Sequence, residues 1–283
     1  MGFLQWLKIV VLGIVEGITE WLPISSTGHM ILVDEFWKTS NSVLTEDFMK
    51  MFEVVIQLGA ILAVVVLYFE KIWPFRNDRK AKTTFDRFCD REKFILWLKI
   101  ALSCVPAILI GLPFEEEIDK YLFKTPVVAA MLIVYGIGFL FIERYNKSRK
   151  PRINDLSELR WSDAALIGIF QVLAMVPGTS RSGATILGGI LIGASRGIAA
   201  EYTFFLAIPT MLGASALKLL KYGAAFTGVQ IAALLVGMVI AFVVSVIAIK
   251  FLIGYIKKHD FSAFGWYRIA LGLIVLLCFY VIL

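Results

Sequence analysis

The sequence predicts an all-α polytopic membrane protein with six transmembrane helices and two re-entrant helical hairpins in an inverted-topology repeat. Three observations lead to this fold class. Hydrophobic residues make up 59% of the 283-residue chain, well above the roughly 45–50% typical of soluble domains. Continuous apolar runs of nearly the ~20 residues that cross a bilayer recur along the whole length. Two further apolar stretches are interrupted, at 16–29 and at 177–185, by prolines, hydroxyl residues and charges.

The continuous runs predict six spans and exclude a transmembrane β-barrel, whose strands would be short and would alternate apolar and polar residues. We expect the spans at 52–69, 94–113, 124–143, 201–221, 226–251 and 264–283. An earlier apolar stretch, 9–15, is interrupted by Glu16, and no small-residue cleavage site follows it. It therefore does not predict a signal peptide, and we expect the N-terminus to be retained.

Charge and cysteine content limit the possible partners. The net charge is +6, but the basic residues lie between the predicted spans, where membrane topology explains them, so no nucleic acid partner is expected. The three cysteines, Cys89, Cys104 and Cys278, are scattered and odd in number. They predict neither a disulfide framework nor a metal site.

The charged segments also predict the orientation. Segment 70–93 carries eight Lys and Arg residues and segment 144–160 carries six, so the positive-inside rule places both in the cytoplasm. The intervening 114–124 has four acidic residues and two lysines and is expected outside. If 257–258 is also cytoplasmic, the two spans before it, 201–221 and 226–251, cross out and back, so 201–221 begins in the cytoplasm. Segment 144–160 is on the same side, so 163–200 must enter and leave the membrane from the cytoplasm. Such a re-entrant hairpin is tolerated where it is buried in protein or lines a wet cavity.

Segments 13–29 and 168–183 resemble each other. Each opens with Gly-Ile, carries Glu or Gln at the fourth position, and passes through a proline and a serine-containing turn to a glycine. Broken helices of inverted repeats meet near the bilayer midplane and form the binding site there. We predict one membrane domain of two such repeats, each a hairpin followed by three spans: 1–143 with its hairpin at 3–33, and 144–283 with its hairpin at 163–200.

Glu16 and Glu20 are four residues apart, so a helix would project both carboxylates from one face. Unpaired carboxylates are strongly disfavoured inside a membrane, and two this close repel each other. Either one carboxyl group is protonated or a cation lies between the two, and a hard divalent cation such as Mg²⁺ or Ca²⁺ suits carboxylate oxygens. The alternative is a buried ion pair with Arg181 and no metal.

After Pro23, the first hairpin exposes the hydroxyls of Ser25, Ser26 and Thr27, followed by His29. The other histidine, His259, follows two lysines in a predicted cytoplasmic loop. His29 is therefore the candidate acid, base or nucleophile near neutral pH. The alternative is a histidine that only bonds a neighbouring carbonyl group.

The second hairpin contains PGTSRSGAT at 177–185. Its glycines, beginning with Gly178, give a flexible turn, and an apolar stretch that is predicted to be helical follows. Backbone N–H groups at that helix start, together with Ser180, Arg181 and Ser182, predict a cradle for anionic oxygens. It is not a P-loop, because G-x-x-x-x-G-K-[ST] is absent. Simple serine capping would explain the serines and glycines but not the arginine.

These motifs together resemble the undecaprenyl pyrophosphate phosphatases of bacterial inner membranes. The resemblance rests on E-x-x-x-E at 16–20, PISSTGH at 23–29, FEVVIQLGAILAVVV at 52–66 and PGTSRSGAT, and it runs through essentially the whole chain. It implies hydrolysis of undecaprenyl diphosphate to the monophosphate, recycling of the peptidoglycan lipid carrier, and bacitracin resistance. It also implies a homodimer in the bacterial inner membrane with a cavity open to the periplasmic face. The functional residues it implies are Glu16, Glu20, Ser26, His29, Ser180, Arg181 and Thr185.

The chemistry that follows is phosphoryl transfer. Glu16 and Glu20 would hold the divalent cation, the second hairpin would hold the phosphoryl group, and Ser26 would attack phosphorus with His29 as general base. A phosphohistidine or direct activation of water by His29 stays open. The alternative from another class is a secondary transporter or lipid flippase, since inverted repeats and broken helices are typical of transporters. The adjacent Ser/His pair, which transport does not require, favours hydrolysis.

Overall fold

The computed structural model describes residues 2–37, 44–77, 83–223 and 226–282. Within these ranges the regular secondary structure is helical, apart from two isolated β-bridges. A short 3₁₀-helix and a C-terminal π-helix accompany thirteen α-helices in the described residues. The α-helices are α1 (Phe3–Thr19), α2 (Ser26–Phe36), α3 (Glu46–Val55), α4 (Gln57–Leu67), α5 (Phe69–Ile72), α6 (Thr84–Phe88), α7 (Arg91–Leu122), α8 (Thr125–Asn146), α9 (Trp161–Leu173), α10 (Arg181–Leu191), α11 (Arg196–Tyr222), α12 (Gly228–Ile256) and α13 (Ser262–Leu277).

Six helical stretches are long and apolar enough to cross a membrane, which confirms the predicted all-α polytopic fold class. Each of them overlaps one predicted span. They are Glu46–Leu67, Arg91–Gly111, Thr125–Asn146, Arg196–Tyr222, Gly228–Ile256 and Ser262–Tyr280. The chain is thus a multi-pass membrane protein.

Helix α7 is longer than its predicted span. It continues past residue 113 through the acidic segment to Leu122, with Pro106 and Pro113 inside it. Glu, Lys and Leu in this segment are good helix formers, so the helix does not end where the apolar run ends. Prolines are tolerated in membrane helices because neighbouring groups satisfy the freed carbonyls.

Both predicted hairpins contain two helices joined by a short turn. The first consists of α1 and α2, and the second consists of α9 and α10. None of these four helices exceeds 17 residues, which is short for a bilayer crossing. Their lengths agree with re-entrant hairpins, although the re-entrant course itself and the inverted repeat stay predictions.

The two halves of the chain interleave. Helix α1 packs on α12, where a Cβ at Gly13 would lie 3.0 Å from the carbonyl oxygen of Gly237. Helix α9 packs on α7 in the same way, and there Ser103 Oγ donates a 2.7 Å hydrogen bond to the carbonyl of Ala164. Small residues allow such close approach of membrane helices. Each hairpin therefore packs on a long helix of the other half, and the two turns meet inside the protein.

Candidate active site

The turns of the two hairpins have the same local structure. Ser25 caps α2 with φ of +75°, and Ser180 caps α10 with φ of +69°. Each serine Oγ accepts a hydrogen bond from the backbone N–H three residues later, that of Gly28 or Gly183. They are the two non-glycine residues with positive φ in the described part of the chain. This conformation costs roughly 1–3 kcal/mol and is concentrated at functional sites.

The two turns also share one register. Ser25 follows Glu16 by the same nine positions that separate Ser180 from Gln171. The prolines are the part of the motif that is offset, by one residue. This equivalence agrees with the predicted repeat and pairs a carboxylate in one half with an amide in the other.

The turns are joined by an ion pair between Glu20 and Arg181. Arg181 Nη2 lies 3.1 Å from Glu20 Oε1, and the two side chains are only 11% and 9% exposed. Arg181 Nη1 also donates to the carbonyl of Thr203 on α11 at 2.9 Å. Ser26 Oγ donates to the other oxygen of Glu20, Oε2, at 3.3 Å. Three of the predicted catalytic groups are therefore in direct contact.

His29 makes two short hydrogen bonds, and neither involves Ser26. The carbonyl of Ser25 lies 2.7 Å from Nδ1, and the hydroxyl of Tyr267 lies 2.7 Å from Nε2. A carbonyl only accepts, so Nδ1 carries the proton and Nε2 of the neutral ring is the basic atom. The expected Ser26–His29 hydrogen bond is absent from these contacts, because Ser26 donates to Glu20 while both ring nitrogens of His29 contact other groups.

The other predicted site residues of the second hairpin form hydrogen bonds within the first turn of α10, where Arg181 lies. Ser180 and Ser182 exchange a 3.1 Å hydrogen bond, and Thr185 Oγ1 donates to the carbonyl of Arg181 at 2.8 Å. Ser182 and Thr185 are fully buried, so these contacts fix the first turn of α10. Gly178 has φ of +91°, a conformation that favours glycine. Thr27, in the first turn of α2, is partly exposed.

Glu16 lies beside Glu20, and the residue is 1% exposed. Glu53 of α3, which the sequence analysis did not assign to the site, adds a third acidic group within electrostatic reach of Glu16. Glu16 Oε1 is buried and has no hydrogen-bond partner. The described residues hold no cluster of three or more His, Cys, Asp and Glu with the geometry of a metal site. Two carboxylates fit a magnesium-type ion only when substrate oxygens and water complete its coordination.

Two adjacent residues of α13 belong to the site but were missed by the sequence analysis. Tyr267 holds His29, and Arg268 donates to carbonyls of both turns, namely those of Pro23, Gly178 and Thr179. Arg268 is fully buried. The signal was available, because an arginine inside the apolar span 264–283 indicates a functional residue.

The model of the family described as bacitracin resistance protein BacA matches residues 9–274. The chain belongs to the BacA family. Its relatives include proteins named undecaprenyl-diphosphatase from Lachnoclostridium phytofermentans, Desulfitobacterium hafniense and Enterococcus faecalis. The first is 58% identical over 275 residues, with 97% of both chains covered. The second is 58% identical over 280 residues, with 99% of this chain and 98% of the relative covered. The third is 54% identical over 277 residues, with 98% of both covered. BacA family membership therefore extends over nearly the whole chain and includes both turns.

Proposed function

We propose that the chain hydrolyses undecaprenyl diphosphate to undecaprenyl phosphate and inorganic phosphate. Its BacA family membership and its relatives named undecaprenyl-diphosphatase support this activity. The observation that carries it is the Glu20–Arg181 contact with the Ser26 hydroxyl on the same carboxylate. This hydrolase recycles the lipid carrier for peptidoglycan synthesis and confers bacitracin resistance.

The second hairpin holds the terminal phosphoryl group. The Arg181 guanidinium and the N-terminus of α10 form an anion site, to which Ser180 adds a hydroxyl group. Guanidinium forks match phosphate oxygens, and a helix N-terminus adds N–H donors with partial positive charge. Ser25 and Thr27 offer similar donors at the start of α2. The lipid tail stays in the bilayer while the diphosphate enters between the turns.

Ser26 is the nucleophile in this proposal. Its Oγ attacks the terminal phosphorus, its proton passes to Glu20, and the bond to the bridging oxygen breaks to release undecaprenyl phosphate. Glu20 replaces His29 as the base for this step, because Glu20 already accepts the Ser26 hydrogen bond.

Water then hydrolyses the phosphoserine. His29 takes a proton from the attacking water, and Glu20 returns its proton to Ser26 Oγ as the bond between phosphorus and that oxygen breaks and phosphate leaves. The Nε2 atom of His29 carries the lone pair because Nδ1–H is bonded to the carbonyl of Ser25. Tyr267 holds that nitrogen in place until water and phosphoserine are present. A positioned base of this kind contributes about 10²- to 10⁴-fold to a rate.

Glu16 and Glu20 would hold the divalent cation, Mg²⁺ or Ca²⁺. When bound, such an ion neutralises charge on diphosphate oxygens and orients them for in-line displacement. The buried, unpartnered Oε1 of Glu16 supports this assignment.

The location, sidedness and assembly of the enzyme are also proposals. We place the protein in the bacterial inner membrane with its cavity open to the periplasmic face. The Lys/Arg-rich segments 70–93 and 144–160 support a cytoplasmic position of those two loops, and the periplasmic opening is proposed from the family resemblance. A homodimer is proposed from the family resemblance. The transporter and flippase alternatives are not favoured, since the curated relatives carry the name of a hydrolase.

The deciding experiment is phosphate release from a polyprenyl diphosphate by purified protein in detergent with Mg²⁺, Ca²⁺ or EDTA. The wild type is compared with Arg181→Ala and with Arg144→Ala, which removes an exposed arginine. We expect metal-dependent release that Arg181→Ala abolishes and Arg144→Ala preserves. Folded wild type that releases no phosphate under any condition would exclude hydrolysis, and transport of anionic lipid would then be measured in liposomes.

A further inference from the structure

Arg268 is a fully buried cation whose described acceptors are all backbone carbonyls. Its Nη2 donates to Gly178 at 2.8 Å and Thr179 at 2.7 Å, and its Nη1 donates to Pro23 at 3.2 Å. The Tyr135 ring faces the guanidinium, whose carbon lies 5.5 Å from the ring centroid. Nε has no hydrogen-bond partner. Within the described ranges, no carboxylate forms an ion pair with this arginine.

The guanidinium lies directly behind the proposed phosphate site. A Cβ at Gly183, in the first turn of α10, would be 2.8 Å from Arg268 Nη1. The same Nη1 reaches Pro23 in the turn of the first hairpin. Arg268 thus occupies the space between the two turns, next to the helix start that receives anionic oxygens.

The two arginines of the site differ in their charge balance. Arg181 is compensated by Glu20, whereas Arg268 is bonded only by neutral groups among its described contacts. A buried cation without a counter-anion is costly. Carbonyl dipoles and the Tyr135 ring reduce this cost, and an anionic ligand between the turns would reduce it further.

We propose that Arg268 is a positioning residue for the diphosphate, which acts as its counter-anion. The arginine fixes the spacing of the two turns through their carbonyls and adds positive charge behind the N-terminus of α10. This inference rests on the proposed function, because it names how the same site retains its anionic substrate. A purely structural clamp would lower stability when removed but would leave substrate affinity unchanged per folded molecule.

The test compares Arg268→Met, which removes the charge, with Arg268→Lys, which keeps it. Two quantities are measured: the rise in thermal unfolding temperature caused by inorganic pyrophosphate, and KM and kcat for a polyprenyl diphosphate. Arg196→Met is the matched control, because Arg196 pairs with the buried Glu143 away from the turns. We expect Arg268→Met to lose the pyrophosphate-induced rise and to increase KM by about tenfold or more. We expect Arg268→Lys to keep most of the rise, and Arg196→Met to keep both the rise and KM.

Wild-type KM and a wild-type pyrophosphate response in Arg268→Met would overturn the proposal, and so would a wild type that pyrophosphate does not stabilise. If Arg268→Met does not fold, Gly183→Ala is tested instead, because the added Cβ displaces the guanidinium without removing it. Gly138→Ala is its control, since a Cβ there makes an ordinary 3.5 Å contact. An unchanged KM and pyrophosphate response in Gly183→Ala would equally contradict us. Failure of the proposed function is distinguishable, because wild type would then respond to pyrophosphate without hydrolysing the lipid.

Discussion

Glu20 and Arg181 are separated by 161 positions in the chain, yet their side chains form a buried ion pair at 3.1 Å. Each residue lies at the turn of a different hairpin. Neither hairpin alone can hold a charged group of this kind in an apolar environment, because an unpaired buried charge is strongly disfavoured. The pair therefore couples the folding of the two hairpins and, at the same point, forms the centre of the candidate site.

Replacing Glu20 with Gln should remove the acceptor of the Ser26 proton and leave Arg181 without its counter-charge. We expect kcat for polyprenyl diphosphate hydrolysis to fall by about 100-fold or more, as for loss of a positioned base. The measurement is steady-state phosphate release. Glu46→Gln is the control, because Glu46 is exposed and pairs with Lys50 on the same helix. Equal activity in the two variants would remove Glu20 from the mechanism.

Ser26→Ala should prevent formation of the phosphoenzyme. We expect turnover to fall by about 1,000-fold, with the residual rate arising from binding and electrostatic stabilisation alone. Rapid acid quenching followed by peptide analysis should detect phosphoserine at position 26 in wild type only. Near-normal turnover by the alanine variant would instead assign the nucleophile to His29 or water, without affecting membership of the BacA family.

Tyr267→Phe keeps the ring that stacks on His29 and removes the hydroxyl that bonds Nε2. We expect kcat to fall by about three- to tenfold, the usual worth of one hydrogen bond, while KM changes little. Tyr280→Phe is the control, since Tyr280 is largely exposed. If the two phenylalanine variants have the same kcat, Tyr267 has no part in holding the imidazole.

Glu16→Gln should weaken binding of the divalent cation. We expect the Mg²⁺ concentration for half-maximal activity to rise by about tenfold or more, since even residues that only support metal ligands change affinity about 10- to 100-fold. The measurement is a Mg²⁺ titration after treatment with EDTA, which should abolish wild-type activity reversibly. Hydrolysis that continues undiminished in EDTA would contradict the metal assignment.

Gly59→Ala should destabilise the packing of α4 on α12. A Cβ at Gly59 would lie 2.8 Å from Met238 Cα and closer still to its carbonyl group, and backbone atoms cannot move aside easily. We expect the free energy of unfolding to fall by about 1–3 kcal/mol, the usual cost of overpacking. Thermal unfolding followed by tryptophan fluorescence measures this. Gly213→Ala, where a Cβ meets open space, should be neutral, and equal midpoints for both variants would refute the packing argument.

Much of the candidate site could be predicted from short-range patterns. Glu16 and Glu20 share a helix face by spacing, and Ser180, Arg181 and Ser182 lie at a helix start because glycine and serine precede an apolar run. Tyr267 was missed because its role depends entirely on a partner 238 positions away. The Ser26–His29 pair was expected from adjacency, but in the folded chain Glu20 accepts the Ser26 hydrogen bond and Tyr267 bonds His29.

The sequence by itself determined the membrane class, the six spans and the polar motifs, because hydropathy and spacing act over one or two helical turns. Only the tertiary structure decided which charges meet. It paired Glu20 with Arg181, brought Arg268 of α13 between the two turns, and gave His29 its tautomer through Ser25 and Tyr267. The physical reason is that buried polar groups must find partners wherever packing places them, and helix packing across the two halves is not encoded in any local stretch of the chain.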